Sequence, residues 1–162
     1  MQFSTKLAMP DKVRSACVAV GVFESRRLSE AAGTLDRAAQ GQLREFLRTG
    51  DMNGKVGTTR LLYRVRGIAA ERVMLVGLGQ EGEFGEKQYR ESVRATLNAI
   101  WNTGARDACL HLAELKVPER DATWKARQIV LAASDVAYRF DRMKSKKAEA
   151  KPLAHEIGRA HV

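Results

Sequence analysis

The chain has 162 residues, of which 44% are apolar and 29% charged, the length and balance of one ordinary globular domain. Ala16–Val20 is among its longest apolar runs and falls far short of a bilayer span. Met1–Pro10 carries no apolar export core, so the expectation is neither a membrane nor a secreted protein. Lys and Arg total 28 against 19 Asp and Glu, giving +9, a field that attracts polyanions such as nucleic acid.

In chain order, Phe3, Thr5 and Leu7 alternate with Ser4 and Lys6, which predicts a short edge strand stopped by Pro10. Ala16–Phe23 is nearly continuously apolar and predicts a central strand covered on both faces. Ser29–Arg48 is helical, with Gly33 and Gly41 dividing it into two short helices. Gly50–Gly57 is a glycine-rich loop. Thr59–Arg66 and Arg72–Leu78 are strands joined through Gly67–Glu71. Glu86–Asn102 is a helix with Tyr89, Val93, Leu97, Ile100 and Trp101 on one face, stopped by Gly104. Asp107–Leu112 is a strand and Asp121–Arg142 the last helix. Strands interleaved with helices predict an α/β sandwich, a mixed β-sheet flanked by helices on both faces.

The last helix is apolar on two sides. Ala122, Ala126, Ile129, Ala133, Val136, Ala137 and Phe140 form one stripe, and Trp124, Leu131 and Tyr138 a second, roughly opposite. The sheet covers one. The second is expected to meet a loop of this domain, a partner subunit or a further domain.

Motifs that promise chemistry are few. Gly77–Gly82 fits GxGxxG directly after a strand, but the helix starts only near Glu86 and the ribose-binding acid is missing. Gly50–Val56 has neither the spacing nor the hydroxyl of a phosphate loop. No His pairs with another ligand at helical spacing, so no metal site and no catalytic residue is assigned. Cys17 and Cys109 lie in apolar strands and read as inert core thiols of a reducing, cytoplasmic compartment. Lys87, Arg90 and Arg94 share an exposed helical face, and Tyr138–Lys151 holds six basic residues, among them Lys144, Lys146 and Lys147. These six named side chains are the candidate nucleic-acid contacts.

Several segments resemble a known family: Arg14–Ser29 (RSACVAVGVFESRRLS), Gly54–Gly57, Glu71–Gly77, Glu86–Tyr89 and Trp124–Gln128. They are similar, collinearly from Met1 to about Leu153, to the N-terminal domain of bacterial leucyl aminopeptidases, the cytosol aminopeptidase family. The likeness is strongest to the branch whose members also bind DNA in site-specific recombination and transcriptional control. It implies a macro-domain-like three-layer fold that helps organise a homohexamer of cytoplasmic enzymes. Those enzymes use two divalent metals, manganese or zinc, to release N-terminal residues from peptides. Their metal ligands and catalytic residues lie in VGKG…FDSGG and NTDAEGR segments, which this sequence does not contain.

The expected organisation is therefore residues 1–144 as a non-catalytic α/β domain and 145–155 as the start of a linker to a catalytic domain. Residues 156–162 (EIGRAHV) are unrelated to the family and resemble a translated sequencing adapter, so a non-native tail is expected there. On this reading the chain holds no cofactor and no activity of its own. Its partners are its own catalytic domain and the other subunits. The alternative is a stand-alone basic nucleic-acid-binding module.

Overall fold

The computed structural model describes residues 2–5, 7–144 and 156–160. Alternation along two strands sets the layers. In β2 (Val18–Phe23), Val18, Val20 and Val22 pack on one side, while Ala19 and the preceding Cys17 pack on the other. In β4 (Arg72–Gly79), Val73 and Leu75 join the first set, and Met74, Val76 and Leu78 the second. A strand with apolar residues on both faces needs helices on both faces.

The first face is covered by α1 (Glu30–Ala38) and α2 (Gln42–Arg48), which bury Leu35, Leu43 and Leu47 against the valines. Ser29 caps α1 by accepting from the Ala32 N–H at 3.3 Å. The second face is covered by α3 (Glu86–Trp101) and α4 (Ala122–Lys144). Tyr89, Val93, Leu97 and Ile100 of α3 and Ile129, Ala133 and Val136 of α4 are buried there. Each large side chain so buried contributes about 1.5–3 kcal/mol. Gly104 does not terminate α3 through a left-handed turn. The last turn closes instead through the Thr103 hydroxyl, which donates to the Ile100 carbonyl at 2.7 Å.

β3 (Thr59–Tyr63) runs antiparallel to β4, and β5 (Asp107–Leu110) runs parallel to β2. With β1 (Gln2–Thr5) and β6 (Glu156–Ala160) the sheet has the order β1-β6-β5-β2-β4-β3. The edge position of β1 and the interior position of β2 agree with the sequence reading. β6 does not, because nothing after the last helix was read as a strand. Its five residues include one large apolar side chain and no alternation, and what defines it is backbone pairing with β1 and β5 on its two sides. Residues 145–155 and 161–162 lie outside the described residues.

Candidate functional site

Open α/β sheets bind ligands at the carboxyl ends of their parallel strands, so that rim of β5, β2 and β4 is the first place to look. Here the chain fills it with itself. Residues 54–57 fold across the end of β4: Gly79 N–H donates to the Gly54 carbonyl at 2.9 Å, and Gly57 N–H to the Gly77 carbonyl at 3.1 Å. A Cβ on Gly77 would stand 1.9 Å from the Lys55 carbonyl oxygen. The glycine that looked like the start of a pyrophosphate cradle thus accommodates the protein's own loop. Arg27, from the β2–α1 loop, forms an ion pair with Glu81 and ties this turn down.

The N-terminus of α1 is also occupied. Glu114, from the β5–α4 connection, accepts the Ala31 N–H at 2.8 Å on Oε1. Burial pushes the Glu114 carboxyl up, the Ala31 bond opposes this, Glu30 adds to it and Lys125 opposes it. Beside it lies a cleft of about 450 Å³ lined by Phe23, Leu28, Glu30, Phe84, Glu114 and Lys116. The Ala31 N–H at its helix end is already taken by Glu114, and Glu30 and Glu81 add negative charge to a lining that also holds Arg27 and Lys116. Lys125 is buried behind it and donates from Nζ to the Leu115 carbonyl at 3.0 Å; burial pulls its ammonium down. Neither Glu114 nor Lys125 was singled out from the sequence, since a lone Glu after a strand and a Lys within a helix carry no signature.

The cysteines are core residues. Cys17 and Cys109 pack into opposite faces of the sheet, and burial pushes the Cys17 thiol up to about 12. Cys109 Sγ lies 3.4 Å from His111 Nε2 inside the fold. Among the described residues no three metal-ligating side chains come together.

The basic face of α3 is less free than its sequence suggests. Lys87, Arg90 and Arg94 share their surface with Glu86 and Glu91. Arg90 Nε donates to Gln128 Oε1 at 3.1 Å, and its guanidinium pairs with Glu86 at 3.4 Å. It also stacks 5.4 Å from the centre of the Trp124 ring, while Arg120 stacks at 5.5 Å. Trp124 further touches Tyr89, with centroids 5.7 Å apart. The structure therefore brings together Arg90, an expected nucleic-acid contact, and Trp124, an expected partner contact, in one internal cluster. Leu131 and Tyr138 are separate from it and stand out from α4 at 58% and 62% exposure. Lys144 is the last described residue of α4, and Lys146 and Lys147 lie outside the described residues.

The opposite, amino-terminal rim was missed altogether. Arg14 precedes β2, Arg72 opens β4 and Arg106 precedes β5, so three neighbouring strand starts carry three arginines. The available signal was that each arginine stands at or shortly before the start of a strand, and parallel strands put their starts on one rim.

A family model for the N-terminal domain of the cytosol aminopeptidase family matches residues 19–147. The "Probable cytosol aminopeptidase" of Methylobacillus flagellatus is 51% identical over 151 residues, which are 93% of this chain and 30% of that protein. The protein of the same description from Nitrosospira multiformis is 48% identical over 157 residues, 97% of this chain and 30% of that one. The chain thus spans about 30% of the length of these relatives. Among solved structures, a tomato leucine aminopeptidase mutant superposes with TM-score 0.68 at 17% identity, over 100% of this chain and 32% of that one. A Trypanosoma brucei macrodomain in complex with ADP-ribose gives 0.69 at 15%, over 99% and 63%. The bottromycin maturation enzyme BotP in complex with Mn gives 0.60 at 22%, over 89% and 26%. These likenesses establish the three-layer, macrodomain-like α/β fold.

Proposed function

The chain belongs to the cytosol aminopeptidase family through that family's N-terminal domain, and from this premise we propose that it is the non-catalytic part of a metalloaminopeptidase. The observation that carries the reading is the match to this domain over residues 19–147, together with 51% identity to a protein of which the chain spans 30%. The whole enzyme would release N-terminal residues from peptides in the cytoplasm. The described residues assemble no metal-ligand set, so no step of metal chemistry is assigned to this chain. The two divalent ions, manganese or zinc, would be held by the remainder of the enzyme.

The domain's own role would be to organise the assembly, a hexamer in this reading. Leu131 and Tyr138 support it, because two large exposed side chains two helical turns apart form a ready contact. They would meet the catalytic domain or a neighbouring subunit. Trp124 would contribute less, being already in contact with two arginines.

A leucine anilide assay with manganese tests the reading. A purified chain extended to the relatives' length turns the substrate over, and the 162-residue chain does not. Turnover by the short chain would refute the proposal. Leu131→Ser with Tyr138→Ser is expected to leave the short chain's melting midpoint in place and to break the assembly of the long one.

A second reading, nucleic-acid binding, is supported by the net charge of +9. Lys87, Arg94 and the basic residues Lys144, Lys146 and Lys147 would contact the phosphates, with Arg90 as a further contact on α3. Duplex affinity that stays flat between low and physiological salt would exclude it.

A further inference from the structure

The arginines of the amino-terminal rim surround a groove of about 920 Å³, lined by Arg14, Ser15, Glu71, Arg72, Arg106 and Asp107 with small residues between them. Its two carboxylates are already engaged. Glu71 Oε2 takes Arg72 Nη1 at 2.9 Å, and Asp107 Oδ1 accepts the Ala16 N–H at 2.7 Å. Arg72 is held further by donating to the Ala16 carbonyl at 3.1 Å and lies 5.7 Å from the centre of the Tyr63 ring. Arg14 and Arg106 are exposed, and among the described residues neither has a hydrogen-bond or ion-pair partner. The strands they precede are adjacent in the sheet. Neighbouring strands lie about 4.8 Å apart, so the two guanidinium groups can converge on one small ligand. Arg72 is fixed on the far side of it.

We propose that this groove binds a phosphoryl group, gripped between the free guanidinium forks of Arg14 and Arg106 above the anchored Arg72. Guanidinium forks match phosphate oxygens in pairs, which a flexible ammonium does not. The site is on the opposite rim from the cleft beside Glu114 and does not depend on the aminopeptidase reading.

Pyrophosphate titrated into the isotope-labelled 162-residue chain at low ionic strength, followed by amide NMR, tests it. The expected result is saturable shifts at Ala16, Arg72 and Asp107 with a Kd on the order of 1 mM. Arg14→Gln with Arg106→Gln should weaken binding roughly tenfold or more, and Arg14→Lys with Arg106→Lys by less. Arg37→Gln with Arg48→Gln removes the same charge from exposed positions on α1 and α2 and should leave the Kd unchanged. Equal weakening by both Gln pairs would reduce the effect to bulk charge and overturn the site. So would non-saturating shifts, or shifts that centre on α3. A short duplex added afterwards identifies the source of the phosphate. Displacement of pyrophosphate through the same two arginines assigns it to a nucleic-acid backbone, and binding without displacement assigns it to a small phosphate ester.

Discussion

The two rims of this sheet are built to opposite plans. At the carboxyl rim, loop 54–57 lies across β4, a carboxylate caps α1 and an ion pair pins the turn after β4. At the amino rim, three strand starts leave an open groove and two arginines without partners among the described residues. The first rim is therefore structural, and substitutions there should cost stability. At the second, Arg72 and Asp107 are engaged in the fold, and only substitutions of Arg14 and Arg106 should cost the proposed binding alone.

The strongest test of this contrast is Gly77→Ala. Its Cβ would meet the Lys55 carbonyl oxygen at 1.9 Å and Thr58 Oγ1 at 2.3 Å, so loop 54–57 must lift. Urea denaturation should show a loss of roughly 3 kcal/mol. Lys125→Ala comes next, because it strips the Leu115 carbonyl of its donor and empties a buried site. About 1–3 kcal/mol is expected, with Lys125→Met costing less because it refills the volume.

Glu114→Gln has a smaller effect and a sign that depends on pH. The folded state raises the Glu114 pKa above the usual 4.5, so it favours the neutral carboxyl. Its stability contribution is complete below that value and is lost as pH rises through the folded pKa. Gln keeps an acceptor for Ala31 and removes the buried charge. The variant should melt roughly 1–3 °C higher than the parent at pH 7, with the gap closing below pH 4.5. Calorimetry across that range decides, and a gap that persists in acid would show that the charge is not the cause. Smallest of all, Arg14→Gln with Arg106→Gln should shift stability by no more than about 0.5 kcal/mol.

Most of the layers were legible in the sequence because they rest on periodicity. The apolar runs of β2 and β4 mark strands buried on both faces, and the i, i+4 face of α3 marks a helix buried on one. The starts of β3, β4 and β5 fell where the residues put them. The rims were not legible, because they depend on which loops meet. Gly77 reads the same whether a pyrophosphate or Lys55 approaches it. Arg90 and Trp124 stand 34 positions apart and give no sign that they stack. Arg14, Arg72 and Arg106 are scattered until parallel pairing gathers them. β6 was missed because its partners, rather than its own side chains, make it a strand.

The carboxylate of Glu114 carries one more consequence. By accepting the Ala31 N–H, it joins the β5–α4 connection to the first turn of α1, two parts of the chain 83 positions apart. Loop 54–57 closes the same rim independently, so substituting Glu114 alone leaves Gly77 and Gly79 covered. The carboxyl rim is therefore closed by two separate contacts, and a change in one leaves the other in place.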